Sequence, residues 1–228
     1  MSFTSRLCGL ALGAAAAIGL AVPASAQSAT QELSRESVIE TIKQDGVIRI
    51  GLSLFVPWSM RDKNGDLIGF ELDVGRKLAE DMGVEVEFVP TAWDGIIPAL
   101  VSGNFDVIIS GMSVTAQRNL TVNFSDPYAY SGMAILANRE LTEGFTLEDF
   151  NSPDVTFAAR RGATPAVVIA DMFPEAELLL FDEDGASTQE VLNGNAHASM
   201  SSQPGPNQDA GRNPDVLYVF DAPLFGQR

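Results

Sequence analysis

The chain has 228 residues, with 30 acidic against 14 basic side chains, one Cys, one His and 46% hydrophobic residues. A formal charge of −16 excludes a nucleic-acid binder, because affinity for phosphates comes from clustered Lys and Arg. A single Cys excludes an internal disulfide or a thiolate zinc cluster, a single His excludes a His-rich metal site, and 19% charged residues with ordinary apolar content exclude a disordered chain.

Residues 1–26 have the pattern of a cleaved export signal: Arg6 supplies a positive start, residues 7–22 are apolar, and Ala24-Ser25-Ala26 is a small-x-small processing site. The apolar stretch falls short of the ~20 residues that span a bilayer. Cys8 lies at the start of that stretch, where it does not suit a lipid anchor. Cleavage after Ala26 removes the one Cys and one basic residue, leaving a more acidic chain held by core packing alone. At about 200 residues such a chain buries roughly 70% of its surface, enough for a stable core.

Residues 27–45 are polar, and residues 47–52 form an apolar run expected to be a buried strand. Phe55-Val56-Pro57-Trp58 is an aromatic loop, followed by the turn signal Lys63-Asn64-Gly65-Asp66. Phe70, Val74, Leu78 and Met82 recur at helical spacing, Glu71 and Asp73 suit the positive end of that helix, and Gly83 stops it. Val84, Val86 and Phe88 alternate with Glu85 and Glu87 as in a half-buried strand. Asp94 is a candidate cap for a helix to Ser102, with Pro98 in its early turns, and residues 105–109 form a third strand.

After an apolar run at 133–137 and a polar connection at 138–144, the pattern restarts. Strands are expected at 155–159, 178–181, 196–200 and 216–220, helices at 164–173 and 187–192, and a loop at 203–214, which holds three Pro and two Gly. Alternating strands and helices argue for parallel sheets flanked by helices. The expected organisation is a signal at 1–26, a first lobe at 27–137, a hinge at 138–143 and a second lobe at 144–228.

Ligands of open parallel sheets sit beyond the carboxyl ends of the strands. Phe55, Trp93 and Ser110-Gly111-Met112-Ser113 fall there, Arg118 follows in a short helix that Thr115 can cap, and Arg160-Arg161-Gly162-Ala163-Thr164 joins a strand to a helix start. Two aromatic rings can enclose a planar or apolar portion, a guanidinium can clamp a carboxylate, and a helix N-terminus supplies N–H groups to the same anion. This set suits a small organic acid and calls for no metal or cofactor.

Four segments carry a resemblance: residues 65–73 (GDLIGFELD), 93–100 (WDGIIPAL), 105–115 (FDVIISGMSVT) and 122–128 (VNFSDPY). In this order they resemble the periplasmic solute-binding proteins of polar amino-acid ABC transporters, family 3 of the bacterial extracellular solute-binding proteins. The resemblance is dense over 46–137 and looser to 225. It implies an α/β fold of the two-lobed periplasmic-binding-protein type II, each lobe a mostly parallel sheet flanked by helices, closing over a ligand about a hinge.

Residue by residue, the resemblance implies that Phe55 and Trp93 enclose the ligand. Ser113 and Arg118 would hold its carboxylate beside the backbone of Ser110 and Gly111, and Ala163 and Thr164 would complete that site. The family's acidic group for a ligand's ammonium aligns near Ser202, where a neutral hydroxyl stands, and Leu52 replaces an acidic residue that some relatives use for polar side chains. Arg160 is the candidate for a second anionic group of the ligand. The resemblance also implies a return of the chain to the first lobe at about 223–228, so a C-terminally truncated chain with an incomplete first lobe is expected.

The function this implies is a monomeric periplasmic receptor that binds an amino acid or related small carboxylate and delivers it to an inner-membrane ABC permease. The alternatives are a periplasmic dehydratase of a cyclic aromatic-precursor acid, of prephenate or arogenate type, and a ligand-sensing module. His197, within Ala196-His197-Ala198, is expected to be structural rather than catalytic.

Overall fold

The computed structural model describes residues 37–183, 185–223 and 225. The signal expected at 1–26 and most of the polar lead lie outside them. The chain forms two compact units, 1–41 and 42–228; only residues 37–41 of the first are described, and every described strand lies in the second.

The first half runs through α1 (Val38–Asp45), β1 (Val47–Leu52), the short strands β2 (Met60–Arg61) and β3 (Leu67–Ile68), α2 (Phe70–Met82) and β4 (Glu85–Pro90). A 3-10 turn at Trp93–Gly95, α3 (Ile96–Val101), β5 (Val107–Ile108) and α4 (Ala116–Asn119) follow. The second half holds β6 (Met133–Asn138), β7 (Thr156–Arg160), α5 (Thr164–Met172), β8 (Glu177–Phe181), α6 (Ala186–Leu192), β9 (Ala198–Ser202), α7 (Gly205–Arg212) and β10 (Leu217–Val219).

Strands β4-β1-β5 form a three-stranded parallel sheet, with Ile50 opposite Phe88 on one side and Val107 on the other. Parallel neighbours require crossovers, and α2 and α3 supply them. Gly83 ends α2 in the left-handed region at φ 69°, its amide bonding back to Ala79 and Glu80, as the sequence predicts. The core under this sheet is Ile42, Ile48, Ile50, Ala79 and Ile109.

The second sheet has five strands in the order β10-β6-β9-β7-β8. Strands β7, β8 and β9 are mutually parallel where they pair, whereas β6 runs antiparallel to both β9 and β10. Phenylalanines dominate its core: Phe150 packs edge-on against Phe145 and Phe220, and Phe157 stacks on Phe173 with centroids 5.0 Å apart.

Three sequence-based expectations change. The lobe boundary at 137/138 falls inside β6, whose six buried residues all belong to the second sheet. Residues 138–143 accordingly form a turn leaving β6, organised by buried Asn138, whose Oδ1 accepts from the amides of Glu140 and Leu141. A strand's own pattern does not state which sheet it joins, because that depends on remote partners. The loop expected at 203–214 contains α7, since Pro204 and Pro206 fall at its first positions, where a missing N–H costs nothing. Asp94 lies inside the 3-10 turn, and no side chain caps α3.

Candidate functional site

Strand β1 ends at Leu52, and the chain continues through Ser53 and Leu54 to Phe55. The Ser53 amide donates to Ser110 Oγ at 2.8 Å, and the Ser59 hydroxyl donates to the Ser53 carbonyl at 2.7 Å, all three serines being buried. These bonds tie the loop after β1 to the loop after β5. The Ser110 side chain thus braces the loops, while Gly111 and Ser113 line the cavity beside it.

Gly111 lies at φ +58°, and a Cβ there would come within 3.3 Å of Glu71 Oε1, so both the backbone conformation and the space favour glycine. Glu71, 2% exposed, accepts the Tyr128 hydroxyl proton at 2.6 Å. Burial raises the Glu71 carboxyl above its ordinary value, opposed by the bonds from Tyr128 and the Gly111 amide. Burial, then the charge of Glu71, raises the Tyr128 phenol in turn. The sequence assigns Glu71 only to a helix end; its partner lies 57 residues away, a separation no local pattern carries.

Thr115 caps α4 as expected, its Oγ1 accepting from the Arg118 amide at 3.2 Å. The Arg118 guanidinium donates to the carbonyls of Ser113 at 2.8 Å and Gly162 at 3.1 Å, and reaches Thr164 Oγ1 at 3.5 Å. Burial pulls its pKa down from the ordinary value. No carboxylate among the described residues pairs with it. Its Cζ also lies 5.4 Å from the Trp93 ring, and that of Arg160 lies 5.6 Å from the same ring. Each guanidinium gains from the negative face of the indole.

Arg160 is the last residue of β7. Its Nη2 donates to Ser53 Oγ at 2.8 Å, Nη1 to the Leu54 carbonyl at 3.0 Å and Nε to the Asp182 carbonyl at 3.3 Å. The group expected to meet a second ligand anion thus joins the loop after β1 to the second sheet while lining the cavity. Its neighbour Arg161 turns to the Asp182 carboxylate at 2.7 Å. His197 stays apart from the cavity: its Nδ1 accepts from the Thr156 amide at 3.1 Å, and burial lowers its pKa.

The cavity measures about 70 Å³, several times the ~10–15 Å³ that one water occupies by the same measure. Phe55, Trp93, Gly111 and Ser113 line it from the first sheet's loops; Arg160, Ala163, Thr164 and Ser202 line it from the second half. Of the residues expected at the site, Ser110 and Arg118 stand behind this lining, Arg118 in contact with Ser113 and Thr164. Pro165, Ser187, Met200 and Ser201 were not expected and also line it. Pro165 and Ser201 adjoin Thr164 and Ser202 and Met200 lies one residue further, whereas Ser187, the second residue of α6, has no marker of its own.

Three similarities bear on this arrangement. The cyclohexadienyl dehydratase of Pseudomonas aeruginosa is 28% identical over 170 residues, which cover 74% of this chain and 63% of that relative's length. The chain thus spans less than two thirds of the length of this curated relative. The crystal structure of the ancestral amino acid-binding protein AncCDT-1, a precursor of cyclohexadienyl dehydratase, superposes with a TM-score of 0.75 at 37% identity, covering 81% of each chain. The holo form of ArgBP from T. maritima gives a TM-score of 0.75 at 30% identity, with 82% of each chain covered. These neighbours share the two-lobed type II binding-protein fold. The family model of the bacterial extracellular solute-binding proteins, family 3, matches residues 48–198, and the chain belongs to that family.

Proposed function

We propose that this chain is the ligand-binding component of a transport system: it takes up an amino acid or a related small carboxylate in the periplasm and presents it to an inner-membrane ABC permease. The observation that carries this reading is Arg118, a partly buried guanidinium with no carboxylate partner among the described residues, held just behind the cavity lining against Ser113 and Thr164. A cation partly withdrawn from water without a counter-charge carries a cost, and a ligand carboxylate offsets it. Phe55 and Trp93 then enclose the rest of the ligand, and the start of α5 adds its positive end. The Arg160 bridge from Ser53 and Leu54 to β7 supports a role in holding the two walls together.

Calorimetry against the common amino acids and small mono- and dicarboxylates tests the reading. Saturable binding of at least one, abolished in Arg118→Ala, is expected. Full retention of binding in that variant would sink the assignment of Arg118.

A second reading, a dehydratase acting on a cyclic carboxylic acid, is favoured by the 170-residue similarity to cyclohexadienyl dehydratase. Among the described residues lining the cavity there is no Asp, Glu or His to move a proton. Incubation with prephenate, followed by ultraviolet absorbance, separates the two readings, because aromatisation of the ring is directly visible.

A further inference from the structure

The described lining of the cavity holds one charged side chain, Arg160, and a second guanidinium, Arg118, stands directly behind it. Apart from the Trp93 indole N–H, which only donates, the other polar side-chain groups are hydroxyls: Ser113, Thr164, Ser187, Ser201 and Ser202. Those of Ser113, Ser187, Ser201 and Ser202 make no hydrogen bond to any described residue, so their donors and acceptors are open to a ligand. Ser201 and Ser202 close β9, and Ser187 lies in the first turn of α6, so regular elements hold these groups in place.

An ammonium group brought into this cavity would give up part of its water and find only neutral oxygens as acceptors among the described residues. A neutral oxygen satisfies its hydrogen bonds and leaves its charge uncompensated. A ligand hydroxyl or carbonyl reverses the balance. It carries no charge to desolvate, and serine hydroxyls both donate and accept, which matches either group.

We propose that the ligand is a small hydroxy- or oxo-carboxylate, an organic anion without a cationic amine. This inference rests on the receptor reading and narrows its substrate class: the carboxylate lies toward Arg118, and the hydroxyl or carbonyl meets the rim formed by Ser187, Ser201 and Ser202.

The test is calorimetry on the full chain with sets of probes that share a skeleton and differ only at carbon 2: L-glutamate, L-2-hydroxyglutarate and 2-oxoglutarate; L-phenylalanine, L-phenyllactate and phenylpyruvate; L-leucine with its hydroxy and oxo counterparts. In every set that binds, the hydroxy or oxo member is expected to bind at least about tenfold more tightly than the amino acid. An amino acid that binds as tightly or more tightly overturns the inference and leaves the receptor reading standing. If no carboxylate in any set binds, the receptor reading fails and the inference falls with it. Ser202→Asp places a carboxylate in the rim and is expected to shift the ratio by about tenfold or more toward the amino acid. An unchanged ratio in that variant would overturn the assignment of the rim as the place where an amine is refused.

Discussion

In the five-stranded sheet the cavity groups sit at the ends of regular elements: Arg160 is the last residue of β7, Ser202 the last of β9 and Thr164 the first of α5. In the three-stranded sheet Phe55, Gly111 and Ser113 lie on loops, and Trp93 opens a single 3-10 turn. What supports them differs accordingly. The second wall stands on interlocked phenylalanines, a non-directional core that resists shape change. The first wall is placed by a few directional bonds among Ser53, Ser59 and Ser110, and by the bond of the Gly111 amide to Glu71. Damage to the second wall should therefore appear as lost stability, and damage to the first as lost affinity.

The largest effect is expected in the second sheet. Phe157 is fully buried and touches both Phe150 and Phe173, so Phe157→Ala should cost about 3–5 kcal/mol in urea unfolding. A loss below about 1 kcal/mol would place the source of rigidity elsewhere.

On the first wall, Arg118→Ala should weaken the binding of any carboxylate that the parent chain binds by about 2–5 kcal/mol, the cost of truncating one partner of a desolvated charge pair. Its unfolding midpoint without ligand should move little, since the Ser113 and Gly162 carbonyls that lose its hydrogen bonds are open to water. Calorimetry and urea melts on the same preparation read both.

Ser110→Ala removes the acceptor of the Ser53 amide and leaves that buried N–H unpaired, a cost of about 1–3 kcal/mol. Ser53 also receives Arg160, so affinity should fall in the same variant. Unchanged affinity together with lowered stability would show that the two loops are braced independently of the site.

The smallest effect concerns pH. Burial holds the Glu71 carboxyl above its ordinary value of 4.5, so the folded chain takes up this proton at a higher pH than the unfolded chain does. The stability linked to that proton is fully present below the unfolded value and is lost as pH rises through the folded one. Glu71→Gln abolishes the titration. As pH falls from neutral toward 4.5, the parent should gain stability relative to the variant. Urea melts at stepped pH check this, and a pH-independent difference would exclude a buried ionised Glu71 as its source.

Much of this architecture was legible in the sequence where the signal is local. The stripe Phe70, Val74, Leu78 and Met82 marked α2, Gly83 marked its end, and Thr115 marked the cap of α4. Phe55, Trp93, Gly111, Ser113, Arg160, Ala163 and Thr164 were placed at the site from their positions at strand and helix ends, Ser202 through the family resemblance, and all of them line the cavity. Ser110 shares that position, and its side chain bonds the Ser53 amide, a pairing that depends on the neighbouring loop.

Side-chain periodicity and capping chemistry act over a few residues, so the amino-acid order alone determined the types of the elements and the loops that carry chemistry. Which sheet β6 joins, that Arg160 crosses to Ser53 and Leu54, and that Glu71 meets Tyr128 behind Gly111 were settled only in the folded chain. Each of these joins groups remote in sequence, and such contacts form only when packing of the whole core brings the partners within reach.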